Sequence, residues 1–155
     1  LSSPLQLAVM AARISTDGNL IVPTILKSEL PIINFPKIQG FKEATYSYVK
    51  QGMFNTVNSI NGTAYASNNI KPNYYMSGKT ATSQVRRITM NEREEGVIKN
   101  KDLPREMRDH GMFVGYFPYD SPKFAFSIVV EHGGSGSKTA APIARDLCKK
   151  LISFT

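Results

Sequence analysis

The chain has 155 residues, of which 41% are hydrophobic, so it forms one domain or part of one and carries enough apolar material for a core. Its formal net charge of +7 is spread over many short basic clusters rather than one helix or arm, which argues against a nucleic-acid-binding protein. One cysteine and two histidines exclude an internal disulfide and argue against a zinc site, and no segment reaches the ~20 apolar residues of a membrane span.

The first helix is predicted from its capping pattern. Ser3 is a suitable N-cap, Pro4 fits the first helical position, and Gln6 can complete a capping box. The helix is expected to run from Leu5 to Ile14 or slightly beyond, with Gly18 as its C′ residue. Its apolar residues lie on nearly every side, so we predict that it is buried.

Two segments of different character come after this helix. Residues 20–36 contain three prolines, which argues against a central strand and predicts a connector. Residues 42–60 have the clearest helical pattern, with apolar residues at three- and four-residue steps. These apolar residues are Tyr46, Val49, Met53, Val57 and Ile60. Asn61-Gly62 is predicted to end the helix, and residues 63–72 are predicted to form a polar loop.

Residues 77–85 place a lysine, several hydroxyls and otherwise small side chains on a segment with the pattern of a strand. Because strand side chains alternate between two faces, Thr80 and Thr82 share one face and Lys79 lies on the other. Two hydroxyl donors, a nearby positive charge and an accessible backbone N–H suit an anionic group. A polar edge strand with a solvated lysine is the simpler alternative, and the residues alone leave both open.

The next segments of the chain supply the rest of the predicted sheet. Residues 89–109 are rich in charge and poor in periodicity, which predicts an excursion from the sheet with a short helix near Leu103–Arg108. The apolar runs Gly111–Tyr119 and Phe124–His132 flank a four-residue turn segment and predict a β-hairpin. The second run is apolar on both faces except for Ser127, which is typical of a central strand covered by helices.

The chain closes with a predicted helix that packs on the sheet. Thr139 is its expected N-cap, Pro142 fits its first turn, and Cys148 lies in its apolar stripe, where a buried structural thiol is expected. The predicted fold class is therefore α+β. It comprises a roughly three-stranded antiparallel sheet backed by a C-terminal helix and at least two other helices.

The motifs around the predicted strand resemble those of a known family. Ser77-Gly78-Lys79-Thr80-Ala81-Thr82 is similar to the third, lysine-threonine-glycine motif of the penicillin-binding proteins. In the class B, penicillin-binding protein 2 type, the sequence after this motif resembles segments 108–119 and 129–134, and the sequence before it resembles Pro4–Ala8, Gly52-Met53 and Asn61–Ala64. The resemblance implies that residues 1–155 are the C-terminal portion of a transpeptidase domain. It also implies a partial β-lactamase/transpeptidase-like fold, with two further strands from upstream sequence.

The resemblance implies a D,D-transpeptidase that cross-links peptidoglycan stem peptides through a serine acyl-enzyme and binds β-lactams. Lys79, Thr80 and Thr82 are then the expected catalytic residues. Lys79 would hold positive potential near the substrate, both hydroxyls would bind its terminal carboxylate, and the Thr82 N–H would supply half of an oxyanion hole. The expected substrate-binding residues are Ser77, Gly78, Lys79, Thr80, Ala81 and Thr82. Ala81 stands where the family usually has glycine, and no metal or cofactor is expected.

The resemblance also implies a cellular setting. The parent protein is expected at the periplasmic face of the bacterial inner membrane, anchored by an N-terminal segment and partnered by a membrane glycosyltransferase. The nucleophilic serine is expected upstream, so the chain alone should be inactive and should bind β-lactams weakly or undetectably. A non-catalytic lobe that docks cell-wall synthesis partners is the alternative.

Several lookalike motifs are assigned no catalytic role. Ser47-Tyr48-Val49-Lys50 fits the family's Ser-x-x-Lys box, but Ser47 is expected in mid-helix, about 120° from the apolar stripe and therefore in solvent. Ser59-Ile60-Asn61 and Ser67-Asn68-Asn69 fit the Ser-x-Asn box and are rejected as well. The stretches that end at Thr80 and Thr139 do not have the glycines of a phosphate loop. His110 and His132 show no serine-histidine-acid order, and Arg108-Asp109-His110 is expected to form a local polar network.

Overall fold

The computed structural model describes residues 2–26, 35–68, 71 and 73–154. Its helices are α1 (Pro4–Ser15), α2 (Glu43–Asn58), α3 (Met90–Glu95) and α4 (Ala140–Leu151), and its strands are β1 (Ser77–Ser83), β2 (His110–Phe117) and β3 (Phe124–Val130). The strands form one antiparallel sheet in the order β1-β2-β3. The predicted α+β class and three-stranded sheet are confirmed. None of the helices in the described ranges has the length and apolar character needed to cross a bilayer.

The register of the sheet divides its residues between two faces. β1 pairs with β2 from Ser77 opposite Tyr116 to Ser83 opposite His110, and β2 pairs with β3 from Gly111 opposite Val130 to Phe117 opposite Phe124. Because side chains alternate along each strand, Gly78, Thr80 and Thr82 share a face with Phe113. Lys79 lies on the other face, as predicted.

Helices cover both faces of the sheet. Phe113, Phe117 and Phe126 form the main core with the small buried residues of α4 and with Val57 of α2. Helix α1 also contacts β2 and β3, and its buried Ala11 lies outside that core, which places α1 on the opposite face. Helix α2 contacts β1 and α1, so it packs beside the edge of the sheet that carries β1.

Helix α1 begins as predicted but ends and packs differently. Ser3 Oγ accepts a hydrogen bond from the Gln6 N–H, and Gln6 Oε1 accepts one from the Ser3 N–H, which completes the capping box. At the other end, Asp17 rather than Gly18 is the left-handed C′ residue, with φ 55°, and the Gly18 N–H donates to the Arg13 carbonyl at 2.8 Å. Leu5 is 61% exposed, so the prediction of a buried helix was wrong. Only one side of α1 meets the sheet.

The predicted hairpin is confirmed, but within the described residues its second strand lies at an edge of the sheet. β3 pairs only with β2 among the described residues, so β2 is the central strand. The apolar character of β3 on both faces arises because α1 and α4 pack on opposite sides of it. The apolar pattern of β3 therefore reflects helices packed on both of its faces, not neighbouring strands on both of its edges.

The remaining elements depart from expectation in detail. Helix α2 ends at Asn58, so Ile60 lies beyond it and is 76% exposed. Thr139 occupies the N-cap position of α4, but its hydroxyl donates to the Ser135 carbonyl at 2.7 Å rather than capping the helix. Helix α3 was not predicted. The short helix predicted near Leu103–Arg108 is present only as the 3₁₀ turn Arg105–Met107.

Candidate functional site

The candidate site is the outer side of β1, which is an edge strand of the described sheet. The strand changes environment along its length. Ser77 and Gly78 are buried, Thr80 is half-buried, and Lys79, Ala81 and Thr82 are exposed. The predicted site residues therefore fall into two groups, a buried beginning and an accessible end.

The buried beginning of β1 is fixed by packing. A Cβ added at Gly78 would lie 2.4 Å from the Phe113 ring and 2.6 Å from the Val114 carbonyl oxygen, so glycine is required by the core. Ser77 is fully buried opposite Tyr116, and burial raises the pKa of that tyrosine above its ordinary value. The Ser77 side chain therefore faces the protein interior and does not reach a ligand. The Ser77 and Gly78 placements assign both residues to the support of the strand.

A cleft of about 290 Å³, lined by glycines and polar residues, lies beside the accessible end of β1. Lys79 contributes one wall, and the second half of α2 with the turn Asn61–Thr63 contributes the other. The Lys79 ammonium donates to the neighbouring Thr80 carbonyl at 2.8 Å, which keeps its charge at the edge of the strand. The Ala81 methyl shares the Lys79 face and is exposed, so it does not displace any part of the core.

Thr80 has a partner that the sequence did not indicate. Its Oγ1 lies 2.9 Å from Oγ1 of Thr63, and either oxygen can be the donor. Thr63 belongs to the turn after α2, 17 residues earlier in the chain. The sequence predicts a helix end at Asn61-Gly62 and a family resemblance over Asn61–Ala64, but no local pattern predicts a side-chain contact over that separation. Thr82, one step further along the same face, is exposed opposite Gly111.

A polar cluster around Asp109 holds the residues that directly follow β1, through the Val85 N–H. One Asp109 carboxylate oxygen accepts the Val85 N–H at 3.2 Å, and the other accepts the Asn100 amide at 2.9 Å. The Asp109 N–H donates to Asn100 Oδ1 at 2.8 Å, and the Gly134 N–H donates to the Asp109 carbonyl at 2.7 Å. A local polar network around Asp109 was predicted, but its main partner is Asn100. Arg108 instead donates to the Leu103 carbonyl at 2.9 Å.

A second set of interactions holds residues 86–98, which include α3. Arg86 forms a two-pronged ion pair with Glu92 of α3, in which Nη1 donates to Oε2 at 2.7 Å. The hydrogen bonds from Arg86 lower the pKa of Glu92 to about 2. The Glu92 carboxylate also accepts the Ile98 N–H at 3.2 Å. The Glu92 side chain therefore links Arg86, which precedes α3, to Ile98, which follows it.

The two histidines serve the backbone near the strand ends. The His132 N–H donates to Nδ1 of His110 at 2.9 Å, which places the His110 proton on Nε2. Nδ1 of His132 lies 3.1 Å from the Arg108 carbonyl oxygen and must therefore carry a proton. Both rings therefore act as hydrogen-bond partners of the backbone.

Two lookalike residues, Ser59 and Asn61, line the wall of the cleft opposite Lys79. Ser47 is exposed in the interior of α2, Ser59 is the C-cap of that helix, and Ser67 is buried in a 3₁₀ turn. Asn69, the last residue of one lookalike box, lies outside the described residues. Burial raises the pKa of Cys148 to about 12, consistent with a structural thiol. No cluster of three or more potential metal-ligating side chains occurs within the ranges that the structure describes.

Comparison with known proteins places the chain in a family. The peptidoglycan D,D-transpeptidase MrdA of Haemophilus influenzae is 34% identical over 156 residues, 93% of this chain and 23% of that protein. The MrdA of Acinetobacter baumannii is 32% identical, over 92% of this chain and 22% of that protein. The chain thus spans less than a quarter of either relative.

Solved structures agree with the sequence matches. The crystal structure of Pseudomonas aeruginosa PBP2 in complex with WCK 5153 superposes with a TM-score of 0.71 at 29% identity, over 97% of this chain and 30% of that one. The complex of PBP2 and MreC from Helicobacter pylori contains a chain with a TM-score of 0.72 at 26% identity, over 99% of this chain and 25% of that one. Residues 1–149 match the family model described as the penicillin binding protein transpeptidase domain. The chain belongs to the penicillin-binding protein transpeptidase domain family.

Proposed function

We propose that this chain is the C-terminal portion of a serine-type peptidoglycan D,D-transpeptidase of the penicillin-binding protein 2 type. We further propose that the accessible end of β1 forms the carboxylate-holding wall of its active site. The observation that carries the proposal is that Lys79 and Thr82 are exposed and Thr80 is half-buried along one sheet edge, where Lys79 lines an open cleft. The matching residues of the family's third motif lie at these positions.

Each accessible residue has a role in this proposal. Lys79 supplies positive potential, and the hydroxyls of Thr80 and Thr82 bind the terminal carboxylate of the stem peptide or the carboxylate of a β-lactam. The Thr82 N–H is one donor of the oxyanion hole. The position of β1 at an edge supports this role, because alternate residues of an edge strand direct their N–H groups away from the paired neighbour. One such donor contributes roughly 3 to 4 kcal/mol to the transition state.

The nucleophile of the proposed reaction is a serine on upstream sequence of the parent protein. Its hydroxyl attacks the carbonyl of the terminal D,D-peptide bond of one stem peptide; that bond breaks and the terminal residue leaves as a free amine, which gives the acyl-enzyme. An amine of a second stem peptide then attacks the acyl carbon, forms the cross-linking amide and releases the serine hydroxyl. A β-lactam acylates the same serine. Residues 1–155 alone are therefore expected to form no covalent adduct with penicillin. Intact-mass measurement after incubation tests this expectation, and an adduct on Ser47, Ser59 or Ser67 would contradict it.

The cellular setting is part of the same proposal. The parent protein acts at the periplasmic face of the inner membrane, anchored by an N-terminal segment, with a membrane glycosyltransferase as partner. The names of the relatives support a role in peptidoglycan synthesis, and one related protein is known in complex with MreC.

Penicillin acylation of the full-length protein tests the assignment of β1. Changing Lys79→Ala is expected to slow acylation by a fluorescent penicillin by roughly a hundredfold, because the positive potential of the strand is lost. Lys42→Ala is the matched control, since Lys42 is an exposed lysine at the start of α2. Equal acylation rates for the two variants would favour the alternative of a non-catalytic docking lobe.

A further inference from the structure

The turn after α2 presents a hydroxyl to the candidate site from a fixed position. The Gly62 N–H donates to the Ser59 carbonyl at 2.8 Å, and the Ala64 N–H donates to the Thr56 carbonyl at 2.9 Å. A Cβ on Gly62 would lie 2.3 Å from the Thr56 oxygen, so the turn lies directly against the end of the helix. Ala64 is buried in the core, which fixes the far end of the same turn. Thr63 lies between these anchors.

The end of α2 is also tied to the strand that carries the site. The Asn58 amide donates both to the Phe54 carbonyl at 2.9 Å and to the Met76 carbonyl at 3.0 Å. Met76 directly precedes β1 and is fully buried. The turn and the strand therefore form one rigid frame, and the 2.9 Å contact between the Thr63 and Thr80 hydroxyls bridges it at the rim of the cleft.

We infer that Thr63 is a positioning residue for the proposed reaction, which acts through Thr80. A hydroxyl has one proton to donate and can accept as well. If Thr63 donates to Thr80 Oγ1, the Thr80 proton is left to point at an anionic ligand. In that arrangement Thr63 selects both the rotamer and the proton direction of Thr80. This inference rests on the proposed function, because it requires Thr80 to contact the substrate carboxylate.

Acylation kinetics of the full-length protein test the inference with matched variants. Thr63→Val keeps the side-chain shape but removes the donor, and we expect the second-order rate constant of penicillin acylation to fall about fivefold to tenfold. The loss should lie in the concentration dependence, as weaker carboxylate binding, and not in the limiting rate. Thr63→Ser restores the hydroxyl and should return the rate constant to within about twofold of the original.

A double-mutant cycle separates positioning from simple structural damage. Thr63→Val combined with Thr80→Val should acylate no more slowly than Thr80→Val alone, because the first change has nothing left to orient. Additive losses, or failure of Thr63→Ser to restore the rate, would overturn the inference. If Thr80→Val and Lys79→Ala both leave acylation unchanged, the proposed function itself fails. If Thr80→Val slows acylation and Thr63→Val does not, only the inference on Thr63 fails.

Discussion

The two ends of β1 obey different physical constraints although they share one strand. At the buried end, the Phe113 ring occupies the space beside Gly78, and Ser77 faces Tyr116 inside the protein. At the accessible end, Lys79, Ala81 and Thr82 are exposed, Lys79 lines the cleft, and the Thr80 hydroxyl contacts that of Thr63 in another segment. Substitutions at the buried end should therefore change stability, and substitutions at the accessible end should change ligand binding.

This contrast shows how a short motif can combine support and recognition. The buried residues fix where the strand leaves the core, which sets the direction of the next residues without contact to a ligand. The accessible residues need no packing partners and can carry charge and hydroxyl groups at low cost in stability. Under the proposed function, a single motif of six residues thus contains two roles that its sequence does not separate.

Gly78→Ala, at the buried end of β1, should have the largest effect, and it should act on stability. The added methyl group must displace the Phe113 ring or the β2 backbone, so the free energy of unfolding should fall by roughly 1 to 3 kcal/mol. Thermal unfolding of the full-length protein measures the change. The matched control is Gly52→Ala in α2, where nothing lies within 4 Å of the new Cβ. That change should instead stabilise the helix by about 0.5 to 1 kcal/mol. Equal effects of the two substitutions would contradict the packing account of Gly78.

The next prediction compares two hydroxyl side chains of β1, Thr82 at the accessible end and Ser77 at the buried end. Thr82→Val should slow penicillin acylation of the full-length protein roughly tenfold, because a charge-assisted hydrogen bond to the ligand is lost. Ser77→Ala should leave acylation nearly unchanged and cost less than about 1 kcal/mol of stability, since the Ser77 hydroxyl has no hydrogen-bond partner within the described part of the chain. The two variants need only a labelling time course and a melting curve. Slower acylation in Ser77→Ala alone would reverse the proposed division of the strand.

A smaller effect concerns the segment into which the accessible end continues. Asn100→Ala removes the amide that bonds Asp109 on both sides, and we expect a loss of about 1 kcal/mol confined to that region. Hydrogen exchange should accelerate at the Val85, Asp109 and Gly134 amides, while the amides of the central strand keep their protection. Asn91→Ala, an exposed change in α3, is the control. Uniform acceleration across the sheet would show that the cluster supports the whole fold rather than this segment.

Sequence patterns predicted the features that depend on local periodicity and missed those that depend on distant contacts. The hairpin, the amphipathic helix and the alternation of Lys79 with Thr80 were all predicted from side-chain spacing. The burial of Ser77 and the partner of Thr80 were not, because both are set by residues 39 and 17 positions away, Tyr116 and Thr63. Helix α3 was missed because its stability comes from the Thr89 cap and the Arg86–Glu92 pair, not from an apolar stripe.

The smallest effect is a pH dependence that should appear beyond the accessible end and not at the buried end. Arg86 lowers the pKa of Glu92 to about 2, below the value of 4.5 expected in the unfolded chain. A lowered folded-state pKa means that the ion pair stabilises the segment fully above the unfolded value. That contribution is lost as the pH falls from about 4.5 through 2. The Ile98 amide, which donates to the Glu92 carboxylate, should therefore lose exchange protection over this range after correction for intrinsic rates.

In Glu92→Gln the same amide should be poorly protected at neutral pH and nearly insensitive to acid. The Phe113 amide reports on the core and should be unaffected in both proteins, so a parallel loss there would indicate global acid unfolding instead of release of this one pair.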